Sequence, residues 1–385
     1  MASACAAPGL AWAGVDDPLT LILSRTLTRD SNVFRTSGVA APAVDDTTTS
    51  TAVTLKLDTQ IGRQKLQLSL AQSRNTYKKL GALDNSSSNH LLSWQGTFPE
   101  RIAADGTWAR TESIASFADL RNSTVRDIVT TDSARLRLAY SPHMDWPVHV
   151  QFANNKSTHS VASLAGNDLE SATTELGLQY VTQLGNQAGV VARSTHGSYP
   201  KRAPVSAAIA GNVYRQQEML AVVQWKPGIK STLNLQLGQT RRETDGLPQS
   251  AFKGNTGNLN FDWAVTDKAG INATIGRQVT AQSFTQAQYS VVRSEGLGLT
   301  WVPTAKVSLA VRIGRQSSIS AGNTTASGTT LMPADTTRSS SLVLQYSPWT
   351  EVQLTMQLRR ENRESNDPAR SFASNIAVLG AGLSF

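Results

Sequence analysis

The stretch Leu297-Gly-Leu-Thr-Trp301, its turn Val302-Pro-Thr-Ala-Lys306, and the following Val307-Ser-Leu-Ala-Val-Arg-Ile313 decide the fold. On both sides of the turn, apolar residues occupy every second position. This period of two indicates β-strands with one apolar face. The first strand ends in an aromatic residue, and a short turn containing proline leads into the second. The segment is therefore predicted to be a β-hairpin.

The same hairpin signature recurs along the chain. Leu136-Arg-Leu-Ala-Tyr140 precedes a Ser-Pro turn, Leu220-Ala-Val-Val-Gln-Trp225 precedes Lys-Pro-Gly, and Leu342-Val-Leu-Gln-Tyr346 precedes Ser-Pro. The sequence closes with Leu379-Gly-Ala-Gly-Leu383-Ser-Phe385, which also alternates. A hairpin repeated in this way predicts one large antiparallel sheet.

Reading for a period of two gives about 18 strands, and their connections alternate between short and long. The spans are about 18–29, 51–61, 64–75, 90–98, 106–117, 133–141, 147–157, 172–181, 187–197, 216–225, 230–242, 256–264, 270–282, 293–301, 306–317, 339–347, 351–361 and 374–385. Strands of about 10 residues, with short turns at one rim and long polar loops at the other, are typical of outer-membrane barrels. The predicted fold is an all-β transmembrane antiparallel barrel with short periplasmic turns and long extracellular loops.

Composition agrees with a barrel. The 385 residues have a mean hydropathy of −0.25 and are 39% hydrophobic, and no apolar run approaches the roughly 20 residues that a spanning helix needs. A propeller would carry four short strands in each repeat of about 40 residues, whereas these repeats carry two. The propeller and a soluble β-solenoid are the less favoured alternatives.

Residues 1–14 are small and apolar, contain the single cysteine, Cys5, and end in Ala11-Trp-Ala13. This ending fits a signal-peptidase site, although the segment has no basic region. We interpret 1–14 as a signal-peptide remnant, with a merely disordered terminus as the alternative. Residues 15–385 are predicted to form a single outer-membrane barrel in a Gram-negative bacterium.

Parity along the strands assigns side chains to two faces. In a barrel of this width the apolar face meets lipid and the polar face lines an aqueous channel. The predicted channel-lining residues are Lys56, Arg135, Arg137, Arg193, Asn234, Gln236, Arg312, Gln353, Gln357 and Arg359. A predicted membrane-interface girdle consists of Trp94, Tyr140, Tyr180, Trp225, Trp263, Trp301 and Tyr346. Leu379, Leu383 and Phe385 are predicted to form a C-terminal insertion signal read by the barrel-assembly machinery.

The net charge of +8 leaves two interpretations of the channel cations open. Rings of arginine and lysine select anions, whereas pairing with carboxylates such as Asp58, Glu175 and Asp262 would neutralise them. Arg277 and Arg315 have the parity of the lipid face, where they would meet lipid phosphates or extend to water. No run of Lys or Arg exceeds two residues, which argues against nucleic acid as a partner.

Five histidines are the candidates for chemistry: His90, His143, His149, His159 and His196. None lies in a zinc-binding or nucleophile-elbow motif, so we expect no catalytic residue, metal site or cofactor. His159 and His196 lie beside Ser or Thr near long loops, which leaves a surface hydrolase as a minor alternative.

The run Leu21-Ile-Leu-Ser-Arg-Thr-Leu-Thr-Arg-Asp-Ser-Asn-Val-Phe-Arg35 resembles the opening strand and "D-x-N-x-F-R" loop of the EpsL-like outer-membrane barrels of exopolysaccharide biosynthesis and export operons. Ser116-Phe-Ala-Asp-Leu-Arg121 and Val125-Arg-Asp-Ile-Val-Thr130 resemble that family's central segment. The resemblance implies a channel that carries a polysaccharide chain to the cell surface.

It also implies a periplasmic polysaccharide-export protein as partner, beside outer-membrane lipid and lipopolysaccharide. The alternative function is a general or anion-preferring porin for small solutes.

Overall fold

The computed structural model describes residues 18–38, 41–118, 124–204, 211–281, 287–323 and 333–385; the predicted signal remnant 1–14 lies outside these ranges. The chain forms one sheet of 18 strands in which each strand pairs with its sequence neighbours. β1 also pairs with β18 in antiparallel register, from Ile22 opposite Ser384 to Asp30 opposite Ile376. The sheet is therefore a closed antiparallel barrel, which confirms the predicted fold class.

The strands have the following bounds: β1 Leu19–Asp30, β2 Asp46–Ile61, β3 Gln64–Tyr77, β4 Asn85–Phe98, β5 Ile102–Ile114, β6 Ile128–His143, β7 Trp146–His159, β8 Leu169–Val181, β9 Gln187–Ser198, β10 Val213–Gly228, β11 Ser231–Thr244, β12 Phe252–Thr266, β13 Ala269–Ala281, β14 Ala287–Thr304, β15 Val307–Asn323, β16 Ala334–Tyr346, β17 Val352–Ser365 and β18 Phe372–Ser384. Short 3-10 helices occur in five connections, at Gly81–Leu83, Pro99–Arg101, Ala162–Asn167, Pro248–Ser250 and Pro368–Arg370. In the described ranges no helix is long and apolar enough to cross a membrane.

The outward face of the barrel is identified by its exposed apolar side chains. In the hairpin of β14 and β15, Leu297 and Leu299 lie opposite Ile313 and Val311, and all four are exposed. Directly opposed residues in an antiparallel sheet share a face, so this outward row continues from strand to strand. Such a surface is stable in hydrocarbon, and a closed barrel leaves no unpaired strand edge there. The barrel therefore spans a membrane.

The seven aromatic residues of the predicted girdle lie near the short-turn ends of their strands. Register places each on the outward face: Trp301 lies opposite Leu309, for example, and Trp225 lies opposite Leu233. Trp146 joins them, with its ring centroid 5.0 Å from that of Tyr180. Their role at a membrane interface remains a prediction, although amphipathic rings are enriched at that depth.

The C-terminus takes part in closing the barrel. The backbone N–H of Phe385 donates to Leu21 O at 2.8 Å, and Leu21 N–H donates to Phe385 O at 3.0 Å. Leu379 and Leu383 point outward opposite Leu27 and Leu23 of β1. The use of these residues as an insertion signal stays a prediction.

Candidate channel interior

The inward face carries the residues that alternate with the exposed apolar row. On β6, Leu136 and Leu138 are exposed to the outside, so Arg135 and Arg137 project inward. The same parity places the other predicted channel residues, Lys56, Arg193, Asn234, Gln236, Arg312, Gln353, Gln357 and Arg359, on the inward face. Their contact with a moving solute stays a prediction.

A ladder of ion pairs crosses the inward face from β7 to β11. Glu175 accepts from the Arg193 guanidinium at 2.7 Å and lies 3.1 Å from His149 Nε2. Arg193 also pairs with Glu218 at 3.1 Å, and the Thr240 hydroxyl donates to Glu218 at 3.2 Å. The exposed fraction of each titratable side chain in this ladder is small, from 4% for His149 to 29% for Arg193. Arg193 is thus held between two carboxylates within the wall.

Two more of the predicted channel arginines are paired. Arg135 lies 2.8 Å from Asp105 of β5, and Arg359 lies 3.0 Å from Glu361 of its own strand. The neutralising interpretation therefore applies to Arg135, Arg193 and Arg359. Among the carboxylates named for this role, Glu175 pairs with arginine and Asp58 lies 3.6 Å from Lys65.

Three of the predicted channel cations form no ion pair within the described residues: Lys56, Arg137 and Arg312. On the acidic side, Asp262 accepts from the Asn272 amide at 2.7 Å and has no cationic partner in the same part of the chain. Charges that are not matched by a neighbour act on ions in the channel. Among these four groups, three are positive and one is negative.

Arg312 lies on a stretch of wall lined by small residues. It stands between Gly298 of β14 and Ser341 of β16 in the register. A Cβ at Gly298 would lie 3.7 Å from Arg312 Cγ, so the arginine stem lies over the glycine. Gly296 and Gly314, on the same face, leave further room around it. The guanidinium is therefore accessible to a solute in the channel.

The long-loop rim is narrowed by packed loop residues. Phe117, in the segment between β5 and β6, packs edge-on against Phe34 with ring centroids 5.0 Å apart and lies in one cluster with Leu83. Arg363 Nη1, on the inward face of β17, donates to Ala118 O at 2.6 Å. Because five strands, β18 and β1 to β4, separate β17 from β5 around the barrel, this loop reaches into the mouth.

A second cluster lies at the same rim around two buried tyrosines. The Arg202 guanidinium carbon stacks 3.4 Å from the centre of the Tyr199 ring, and that of Arg242 stacks 3.5 Å from the Tyr214 ring. Burial raises the pKa of the Tyr199 phenol and lowers the pKa of the Arg202 guanidinium. Such stacking fixes cations in place at the mouth. Nothing in the strand periodicity signals this cluster, because its members lie in three different segments: the connection after β9, β10 and β11.

The histidines considered for chemistry occupy separate places. His159 points into the loop rim, where its Nδ1 lies 2.6 Å from Asp127, whereas His196 faces outward, opposite Arg215. The Ser160 hydroxyl beside His159 donates to Asp127 and accepts from Ile128 N–H. His159 thus belongs to a network that ties the loop together. No group of three metal-ligating side chains occurs among the described residues.

No protein-family model matches this chain, and no curated protein matches it significantly. Solved structures match it across nearly its whole length. The outer membrane protein OpdK from Pseudomonas aeruginosa has a TM-score of 0.50 and 12% identity, covering 95% of this chain and 99% of that chain.

OccK2 (OpdF) from the same organism has a TM-score of 0.51 and 12% identity, with coverages of 95% and 97%. A BenF-like porin from Pseudomonas fluorescens Pf-5 has a TM-score of 0.50 and 11% identity, with coverages of 96% and 98%. The fold is that of outer-membrane porins, and the predicted localisation in the outer membrane is confirmed.

The resemblance to the EpsL-like export family is wrong, because the similar structures reported above, OpdK, OccK2 and the BenF-like porin, are not barrels of that family. The residues behind the resemblance have a local structural role. Asp30 pairs with Arg35 at 2.8 Å, and the Asn32 amide donates to Thr36 O and Ala373 O. The motif therefore fixes a loop at the rim, which gives no information about cargo.

Proposed function

We propose that this protein is a passive outer-membrane channel for small solutes with a preference for anions. The observation that carries the proposal is that three of the predicted channel cations, Lys56, Arg137 and Arg312, have no ion pair in the described residues on the wall of an 18-stranded barrel. Polar neighbours such as Gln353 and Gln357 would supply exchangeable hydrogen bonds, so that a solute can bind weakly and leave.

Small carboxylates are the favoured class of solute. Two of the similar solved structures are a complex of OpdK with vanillate and a complex of OccK2 with glucuronate, and both ligands carry a carboxylate. A guanidinium binds a carboxylate through two parallel hydrogen bonds. Arg312, whose stem lies over Gly298, is the proposed contact for such a group. Export of a polysaccharide, the function implied by the rejected resemblance, has no such support.

Chemical catalysis forms no part of this proposal. Transport through a porin requires binding and release of an unchanged solute, and the inward polar side chains suffice for both. We predict that replacing His159 or His196 by Ala leaves the permeability of the barrel unchanged.

Ion selectivity of the purified barrel in a planar bilayer tests the proposal. A unit charge 5 Å from Arg312 in water gains about 0.8 kcal/mol, which screening at 0.1 M salt reduces to about 0.5 kcal/mol. Because a cation is repelled by the same amount, the anion-to-cation permeability ratio should fall about fivefold in Arg312→Gln. For ions that pass 10 Å away, the fall should be about twofold.

Arg315 offers a matched control, because it lies on the same strand and faces outward opposite Glu295. Arg315→Gln removes the same charge and should leave the reversal potential in a KCl gradient unchanged. A cation-selective wild-type barrel would contradict the proposal, as would equal shifts in the two variants. In proteoliposome swelling, glucuronate should enter faster than glucosamine, which has a similar size and the opposite charge.

A further inference from the structure

A groove lies on the outward surface of the barrel, away from the channel. Its volume is about 680 Å³, and it crosses β15 to β18 and β1. Arg29, Arg360, Ser340 and Asn375 line one part of it, and Val311, Leu342, Leu358 and Ala377 line another. The groove is thus polar at one end and apolar along the rest of its length.

Register fixes how these groups are arranged. Arg360 lies between Ser340 and Asn375, and Ser31 N–H donates to Asn375 O across the closure of the barrel. One rung closer to the short turns, Ala377 lies between Leu358 and Arg29. The small side chains of Ser340 and Ala377 form the floor, and the leucines form an apolar wall.

The polar end lies at the depth expected for lipid headgroups. On β17, Arg360 is six residues beyond Leu354, which lies opposite the girdle residue Tyr346. At about 3.4 Å per residue and a tilt of about 40°, this separation is about 16 Å along the membrane normal. An extended arginine side chain then approaches the far edge of an apolar band about 25 Å tall. That edge is on the long-loop side.

The charge at this end is positive. Neither Arg29 nor Arg360 forms an ion pair within the part of the chain described, and both side chains are exposed. Asp45 also lines the groove, but its carboxylate lies 2.6 Å from Lys79 Nζ, and this hydrogen bond lowers the pKa of Asp45. Guanidinium groups bind phosphate through paired charge-assisted hydrogen bonds.

We propose that this groove binds a phosphorylated, acylated lipid of the outer leaflet. Arg29 and Arg360 hold the phosphate, with Ser340 and Asn375 as polar neighbours. One acyl chain lies along Val311, Leu342 and Leu358. Both parts are needed: phosphate explains why two arginines without ion pairs line one end of the same outward groove, and an acyl chain explains the apolar part that leads away from them. A soluble phosphate would leave that apolar part empty.

Binding of diphosphorylated lipid A to the purified full-length barrel in neutral detergent micelles tests the proposal. Each arginine lost should weaken binding about tenfold, so Arg29→Gln/Arg360→Gln should bind about 100-fold more weakly. The matched control is Arg74→Gln/Arg293→Gln, which removes two other exposed, outward charges on β3 and β14. It should change binding less than threefold. Heat-modifiable migration on gels shows that each variant forms a barrel.

A second variant tests the shape of the groove with its charges intact. Ala377→Phe fills the floor beside Leu358 on a lipid-facing position and should weaken binding of lipid A at least tenfold. Equal weakening in the control double variant would overturn the proposal by showing a general charge effect. The proposal would also be overturned if dephosphorylated lipid A bound as tightly as diphosphorylated lipid A. Displacement of lipid A by an equal concentration of free phosphate would overturn it as well. Native mass spectrometry could instead show a dimer that the same substitutions dissociate. That result would also overturn the proposal, because a second copy of the chain would then occupy the groove.

Discussion

The ion-pair ladder on the inward face predicts a specific loss of stability in Arg193→Gln. Arg193 holds Glu175 at 2.7 Å and Glu218 at 3.1 Å. Glutamine keeps part of the side-chain volume and can still donate a hydrogen bond, but it removes the charge that both carboxylates share. The substitution therefore leaves two neighbouring carboxylates without their common cation.

The expected cost lies between the values for buried and exposed pairs. Removing one partner of a buried pair costs about 3–5 kcal/mol, and exposed pairs contribute about 0–1 kcal/mol. The side chains of Glu175 and Glu218 are 10% and 13% exposed, and that of Arg193 is 29% exposed. His149 still contacts Glu175, and Thr240 still donates to Glu218. We therefore expect a loss of about 2 kcal/mol in the free energy of unfolding.

Urea unfolding of the barrel in lipid vesicles, followed by tryptophan fluorescence, measures this loss. Arg312→Gln is the control, since Arg312 is an inward arginine without an ion pair in the described ranges; it should cost less than about 0.5 kcal/mol. In a double-mutant cycle, Arg193→Gln and Glu218→Gln should couple by about 1 kcal/mol. Equal losses for Arg193→Gln and Arg312→Gln, or zero coupling, would refute the ladder as a source of stability.

Three further predictions concern the wall, the mouth and the closure. Gly238→Val should destabilise the barrel by about 1–3 kcal/mol in the same urea assay, because a Cβ at Gly238 would meet Met219 O of the neighbouring strand. Phe117→Ala should release the loop that packs on Phe34, so that trypsin cuts after Arg126 faster while the strands stay intact. A cleavage rate equal to wild type would count against the inward loop. Removal of Phe385 deletes both backbone hydrogen bonds to Leu21 and should slow folding into vesicles, measured by heat-modifiable gel migration; an unchanged folding rate would show that these bonds are dispensable.

The sequence predicts the wall of the barrel well because lipid imposes a strict period of two. Each predicted strand has a counterpart in the structure, and the predicted span 64–75 matches β3 within two residues. The predicted strands are too short at their long-loop ends. The predicted span 293–301, for example, corresponds to β14, which begins six residues earlier and runs from Ala287 to Thr304. Beyond the membrane both faces meet water, so backbone pairing continues while the apolar alternation stops.

The mouth could not be predicted from local patterns. Phe34 and Phe117 lie more than 80 positions apart in the sequence, and each looks like an ordinary loop residue until the barrel brings them together. The predicted strand spans 306–317 and 339–347 leave a long loop over 318–338, whereas β15 extends to Asn323 and β16 begins at Ala334; residues 324–332 lie outside the described part of the chain. Contacts of this kind depend on the closure of the barrel, which strand periodicity does not specify.

The two interpretations of the channel cations, pairing and anion selection, both apply, but to different residues. Arg193 is held by two carboxylates, so its charge stabilises the wall and is largely cancelled for a passing ion. Arg312 lies over Gly298, so its field extends into the channel. Most inward cations have to be paired with carboxylates, because unpaired cations on the wall repel one another and destabilise the barrel. Selectivity should therefore depend on a few unmatched residues, and a substitution that gives Arg312 an acidic neighbour, such as Gly298→Asp, should abolish the anion preference without removing any cation.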